Sequence, residues 1–364
     1  MSEGLARAET THAIIDAARA RVSDDVWDYV AGGAETETTM FRNRESIDSL
    51  ALRPRVLRDV STIDASSTLL GHKLRIPVVL APIGALELIT PAGGVASARA
   101  AQLFGVMGII STVAEPNLEA VAESSSAPLA SQLYIRGDAG WVDRLIDRVV
   151  GAGYVAVTLT VDSAYYGHRE REIRRGFAPP GHRESASGRT WQTRVDWDWL
   201  DRMRDHAGLP MIVKGIQTAQ DAELAVEHGT EVVYVSNHGG RQLDHGEATI
   251  DILREVVDAV GGRAQIVVDG GFLRGVDVLK AIALGADAVG LGRLQALALA
   301  AGGEGALVRV LELLEDEILI AMGLLGVTKV AELDSSFVSR AAAMPAASPL
   351  QAAFPLDRAD WPPR

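Results

Sequence analysis

The residues best suited to chemistry lie in Glu231–Asp244, EVVYVSNHGGRQLD. Val232 to Val235 make a short, largely β-branched apolar run of the kind a buried strand needs. The run stops at Ser236-Asn237-His238-Gly239-Gly240-Arg241-Gln242, a string too polar for a packed core. Two glycines free the backbone to turn beside a ligand, and His238 and Arg241 stand within one turn of each other. A base and a carboxylate-binding cation at the end of a buried strand suit an acidic substrate. Taken alone, the His would read more readily as part of a helix-capping turn with a solvated His and Arg. Its neighbours decide between the two.

Those neighbours repeat one unit. From Ile76 onward, short apolar strands alternate with amphipathic helices. The strands fall at Val78–Ala81, Met107–Ile110, Leu129–Leu133, Val155–Leu159, Met211–Val213, Val232–Val235, Gln265–Val268 and Ala288–Leu291. Helices are expected at Gly94–Phe104, Trp141–Ala152, Ala219–His228, Ile250–Val260, Gly275–Leu284 and Glu304–Gly323. Strands apolar along their whole length belong to a parallel sheet covered on both faces. Eight units over ~250 residues fit a (β/α)8 TIM barrel better than an open doubly wound sheet. Before the barrel, Thr10–Arg21 and Ser23–Val30 read as helices, the second capped by Ser23 or Asp24 and ended by Gly32-Gly33. Asn43–Asp64 reads as short strands and turns. The expected organisation is one barrel domain over 1–340, with an N-terminal helical segment at 1–64. An Ala/Pro-rich tail at 341–364 is expected to lie over the surface or remain disordered.

Every strand runs into a polar or glycine-bearing end: Pro82-Ile83-Gly84, Ser111-Thr112, Gln132-Leu133-Tyr134, Thr160-Val161-Asp162, Lys214-Gly215, Ser236-Asn237-His238, Asp269-Gly270-Gly271 and Gly292-Arg293. Ser111, Gln132 or Thr160 alone would pass for a satisfied turn residue, and Tyr29 for an interfacial aromatic. Eight such ends in phase mark the face on which barrel enzymes build their sites. Glycines and a cation after the last two strands suggest a phosphate site. Gly290-x-Gly292 lacks the third glycine and downstream acid of a dinucleotide fingerprint, and no Walker A string occurs, so a mononucleotide is the sharper inference.

Composition narrows the classes. The 364 residues are 48% hydrophobic and carry a net charge of −13, which argues against a nucleic-acid surface or docking on anionic lipid. With no cysteine, disulfides, thiolate catalysis and Cys-bound metals are excluded, and no metal site is expected. No secretory signal or membrane-spanning run is evident, so a cytoplasmic protein is expected.

SNHGGRQLD, with VKGI upstream and DGGFLRGVDVLKAIALGADAVGLGR downstream, resembles the FMN-dependent 2-hydroxy acid oxidase and dehydrogenase family. SQLY and TVDSAYYGHRERE appear in the matching order, and the similarity runs from about Ala13 to about Glu332. The resemblance implies FMN as cofactor, with oxidation of an (S)-2-hydroxy acid to the 2-oxo acid. It implies His238 as base, paired with Asp162, although Asp162 and Lys214 would by themselves read as a buried ion pair. Arg241 and Arg169 would hold the substrate carboxylate, Tyr29 would add a hydrogen bond, and Tyr134 would meet the hydroxyl. Lys214 would lie near the flavin N1–C2=O edge. Pro82, Ile83, Gly84, Ser111, Gln132, Thr160 and Ser236 match flavin-contacting positions; Asp269, Gly271, Gly292 and Arg293 match ribose and phosphate positions. Homotetramer assembly is the default the resemblance carries, with oxygen or an external carrier as electron acceptor.

The departures bear on substrate. Gly84 and Val113 leave room where relatives carry larger groups, and Ala178–Leu209 is a short connection in place of a long lid or membrane segment. Leu273 stands where the family has a phosphate-binding arginine, leaving adjacent Arg274 to replace it. The expected substrate is accordingly bulky or aromatic, such as a mandelate. Alternatives are a different large substrate, such as a 2-amino acid or secondary-metabolite intermediate, and a barrel that binds FMN or an anion without turnover.

Overall fold

The computed structural model describes residues 8–179, 189–343, 346 and 348–354. Eight parallel strands follow one another around a closed barrel: β1 (Val78–Leu80), β2 (Met107–Ser111), β3 (Leu129–Leu133), β4 (Ala156–Thr160), β5 (Met211–Ile216), β6 (Val232–Val235), β7 (Gln265–Val268) and β8 (Ala288–Leu291). β8 pairs back onto β1, Val289 against Val78, which closes the ring. β2, β3, β4 and β6 are buried along their whole length, the reason their sequences lack a polar alternation.

The two faces of each strand serve different cores. Alternate residues, among them Val79, Ile109, Ala130, Ala156, Ile212, Tyr234, Val267 and Ala288, pack together inside the barrel. Leu69 and Leu74, from a hairpin of Ser67–Leu69 and His72–Leu74, join that inner cluster. The outward residues pack with the helices in a second, larger cluster.

Before the barrel come α1 (Thr11–Arg21), α2 (Asp24–Ala31) and α3 (Thr38–Asp48). Ser23 caps α2 by accepting from the Val26 amide, and Gly32 ends it, as its sequence foretold. α3 corrects the reading of Asn43–Asp64 as strands and turns: Asn43 to Asp48 are helical. Its buried positions, Thr39, Met40, Asn43, Arg44 and Ile47, have helical spacing but are mostly polar, so no apolar stripe announces it. A short strand does follow, Leu50–Leu52, antiparallel to Val338–Arg340.

Around the barrel run α4 (Gly94–Phe104), α5 (Leu118–Glu123), α6 (Ala139–Gly151), α7 (Glu170–Arg175), α8 (Trp197–Ala207), α9 (Ala219–Glu227), α10 (Thr249–Val260), α11 (Gly275–Ala283) and α12 (Arg293–Leu325), with a further short turn at Arg189–Gln192. α12 is broken at Gly302–Gly303, so the helix expected at Glu304–Gly323 is its second half. A last helix, α13 (Pro349–Ala353), leads to Phe354, which is buried against His12 with ring centroids 5.1 Å apart. Of the described tail residues only Ala353 and Phe354 are buried, so the tail is anchored at this point while Ala341 and Ala342 are exposed. Part of the short connection after α7, residues 180–188, lies outside the described residues. No helix among the described residues is long and apolar enough to cross a membrane.

Candidate active site

Alternation carries the inner face of each strand into the site. Two residues past Tyr234 comes Ser236, then His238; past Ala130 come Gln132 and Tyr134; past Ile212 comes Lys214; past Val267 come Asp269 and Gly271. The period of two that fills the barrel with apolar groups thus delivers polar ones at its C-terminal mouth. There a cavity of about 470 Å³ opens, lined by Tyr29, Ile83, Gly84, Val113, Tyr134, Arg169, Lys214, His238, Arg241, Asp269, Gly271, Gly292 and Arg293. Pro82 also lines it. Ser111, Gln132, Thr160, Ser236 and Asp162 do not; they are held beneath or behind that lining.

His238 has a left-handed backbone, φ 57°, and its amide donates to Ser236 Oγ at 3.0 Å. Its Nδ1 lies 2.9 Å from Asp162 Oδ1, so Nδ1–H donates to the carboxylate and Nε2 keeps its lone pair. Burial pushes the His238 pKa down, only partly offset by Asp162, and Lys214 lowers it further. Burial pushes Asp162 the other way, but His238 and Lys214 prevail and hold it below the ordinary carboxylate value. The pair is therefore a neutral imidazole on an ionised carboxylate, poised to accept a proton.

Room for Asp162 comes from the neighbouring strand. The register slips between Lys214 and Ile216, and Gly215 sits at φ 117°. A Cβ there would come within 2.8 Å of the Asp162 amide nitrogen and Cβ. Lys214 Nζ donates to Ser236 Oγ at 2.9 Å, Ser236 Oγ to Asp269 Oδ1 at 2.7 Å, and Lys214 lies 3.7 Å from Asp269 Oδ2.

In the same cavity, two guanidinium groups converge. Arg241 lies over the Tyr29 ring at 4.9 Å and donates to Gly32 O at 3.2 Å. Arg169 Nε donates to Arg241 O at 3.2 Å. Gly167 lets these segments touch, since a Cβ on it would come within 2.3 Å of Arg241 O. Tyr29 donates its hydroxyl to Gly84 O at 3.1 Å.

Several supporting residues escaped the sequence reading. Tyr166 lies 3.9 Å from Arg169 with its ring under the guanidinium, and Glu172 reaches both arginines. Gln242 donates to Asp162 O and Tyr165 O, both at 3.0 Å. Asn43 and Asn237 exchange amide hydrogen bonds at 2.9 and 2.8 Å, tying α3 to the loop that bears His238. Asp244 accepts from the Thr39 amide at 2.7 Å and from Thr36 Oγ1 at 2.7 Å. Glu172, Gln242, Asn237 and Asp244 all lie inside or beside the motif strings, and that adjacency was the available signal. Nothing local pointed to Asn43, or to Ser348, Pro349 and Leu350 in the cavity lining.

Arg274, expected to stand in for the phosphate-binding arginine, is engaged elsewhere in this structure. Its guanidinium pairs with Glu317 at 2.5 Å and lies 5.5 Å from the Phe354 ring, outside the cavity lining. The chain direction at the start of α11 turns it toward α12, while Leu273 faces the cavity. Arg293 remains: Nη1 and Nη2 donate to Gly239 O and Gly32 O, each at 2.7 Å, and burial with Arg241 nearby lowers its pKa to about 9.

A model of the FMN-dependent dehydrogenase family matches residues 18–340. The chain belongs to this family. It is 38% identical over 347 residues to an L-lactate oxidase of Nostoc sp., covering 88% of this chain and 95% of that one. It is 37% identical over 343 residues to the glycolate oxidase of Spinacia oleracea, covering 88% and 93%. A crystal structure of mandelate oxidase with (S)-2-phenylpropionate superposes with a TM-score of 0.85 at 36% identity, covering 92% of this chain and 99% of that one. This family member is an FMN-dependent oxidoreductase.

The residues present fit FMN. Gln132 Nε2, Thr160 Oγ1 and Arg293 Nε are buried without a hydrogen-bond partner in the protein, a costly state that a polar ligand relieves. A buried cation whose pKa falls to about 9 is likewise suited to a phosphate. Among the described residues no cluster of His, Cys, Asp or Glu could hold a metal ion.

Proposed function

We propose that this FMN-dependent 2-hydroxy acid oxidoreductase acts on a bulky or aromatic (S)-2-hydroxy acid of the mandelate type. The observation that carries the reaction is the His238–Asp162 pair, 2.9 Å apart, facing the cavity that Arg169 and Arg241 also line. A base and paired cations lining one cavity match a molecule with its hydroxyl next to a carboxylate.

In this reading Arg169 and Arg241 hold the substrate carboxylate, and Tyr29 and Tyr134 orient its two polar ends. His238 Nε2 takes the hydroxyl proton, and Asp162 stabilises the imidazolium that forms. Bound FMN supplies the acceptor for the α-hydrogen and two electrons. Removal of the α-proton first, by the same His238, uses the same residues. Gln132, Thr160, Lys214, Arg293, Gly271 and Gly292 would hold the cofactor. The preference for a large substrate is supported by the small residues Gly84 and Val113 in the cavity lining, although Val113 Cγ2 already fills the space that a Cβ on Gly84 would take.

The test is an anaerobic visible spectrum of the holoenzyme titrated with glycolate, lactate, a long-chain 2-hydroxy acid and (S)-mandelate. Mandelate is expected to bleach the flavin at the lowest concentration, and His238→Ala to retain FMN without being bleached. Efficient bleaching by glycolate alone overturns the size preference. Near-normal bleaching of His238→Ala overturns the base.

A further inference from the structure

We propose that Glu172 is a positioning and specificity-determining residue that sets the charge of the carboxylate clamp to suit a monoanionic substrate. This rests on the assignment of Arg169 and Arg241 to the substrate carboxylate. Glu172 belongs to α7 and is 5% exposed. One of its oxygens, Oε1, lies 3.5 Å from Arg169 Nη1 and 3.4 Å from Arg241 Nη2. The other, Oε2, accepts from the Tyr166 hydroxyl at 3.4 Å, and that hydroxyl also meets Arg169. A single carboxylate thus bridges both guanidinium groups from behind the cavity, since Arg169, Arg241 and Tyr166 line it and Glu172 does not.

The charges then count simply. Two guanidinium groups and one carboxylate leave one net positive charge, the complement of one substrate carboxylate. Two of the other lining cations have carboxylate partners, Lys214 with Asp269 at 3.7 Å and Arg171 with Glu37 at 2.5 Å, while Arg293 belongs to the cofactor end of the cavity. Without Glu172 the clamp would carry two positive charges in a buried place, favouring a dianion over a monoanion. Both contacts are longer than the ~2.8 Å of a tight charge-assisted pair. Glu172 therefore offsets charge without the short fork that would compete with a ligand. Arg169 is the N-cap of α7 and Glu172 its third residue, so the helix fixes the carboxylate relative to the first arginine.

Pyruvate and oxalate test this, being nearly isosteric with one and two charges. Their dissociation constants are read from perturbation of the flavin spectrum in the holoenzyme, without turnover. Glu172→Gln is expected to shift the ratio of the two constants toward oxalate by about tenfold or more. Glu172→Asp, which keeps the charge on a shorter stem, is expected to hold the ratio within about twofold while raising KM for the hydroxy acid more than it alters kcat. An unchanged ratio in Glu172→Gln, or a shift toward oxalate in Glu172→Asp, overturns the proposal, and the second variant decides if the first fails to fold. If neither anion perturbs the wild-type flavin, the clamp assignment itself fails. Binding of pyruvate with an unmoved ratio sinks only the role of Glu172.

Discussion

His238 combines a strained backbone with a perturbed side chain, and both follow from where strand β6 ends. A non-glycine residue at φ 57° costs some stability, offset here by the Ser236 hydroxyl that accepts the His238 amide. Because burial lowers the His238 pKa from its usual 6.5, the imidazole remains neutral into mildly acidic solution. Flavin reduction by substrate should therefore hold steady from neutrality down past pH 6.5 and decline only below it, measured by stopped flow at each pH. The same shift links pH to folding. The unfolded chain binds this proton more readily, so the contribution is full above 6.5 and is lost as pH falls through the lower folded value. His238→Gln should flatten that part of the urea-midpoint profile below pH 6.5. A profile as steep as wild type would show that His238 does not titrate low.

At the scale of elements, α3 is the piece on which the cofactor end of the barrel leans. Arg44 is buried in it, bonded to Asp277 of α11 at 2.6 Å, to Asp48, and to Gly271 O at 2.9 Å. Burial opposes the charge on Arg44, but Asp277 and Asp48 more than compensate and raise its pKa. Asp277→Ala would leave this cation buried with one partner fewer, and is expected to cost about 3–5 kcal/mol in urea unfolding. A loss under about 1 kcal/mol would mean that Asp48 and water suffice. The helix that makes this pair was not legible, since its inner face of Thr39, Asn43 and Arg44 reads as solvated sequence. The barrel strands were legible because burial on both faces leaves an apolar run with nothing to confuse it. Their ends were less so: β5 was expected to stop at Val213, yet it continues to Ile216, because Lys214 and Gly215 read as loop while the barrel uses them as a lysine-bearing bulge. The pairing of Arg274 was hidden for a related reason. Adjacent positions on a strand-to-helix turn face different ways, and the partner that claims Arg274, Glu317, comes from a distant helix.

The whole molecule solves an electrostatic problem. A chain with net charge −13 must gather positive charge to hold anions. Among the described residues the cavity lining carries Arg136, Arg169, Arg171, Lys214, Arg241 and Arg293 against a single carboxylate, Asp269. Gathering them costs stability, most visibly at Arg293, whose pKa is driven to about 9 and whose Nε finds no acceptor in the protein. A phosphate would repay that cost, whereas the ring and ribityl chain alone would not. FMN should therefore raise the melting temperature of the apoprotein more than riboflavin does at equal concentration. At about a hundredfold excess over its Kd, FMN adds roughly 2.7 kcal/mol, about 3–4 °C for a chain of this size. Arg293→Ala should remove most of the difference between the two flavins, because the variant no longer buries the charge that the phosphate answers. Equal stabilisation of the wild-type apoprotein by riboflavin and FMN would mean that Arg293 is held by Gly32 and Gly239 for structural reasons. The phosphate would then have to bind through the backbone of Gly271 and Gly292 instead.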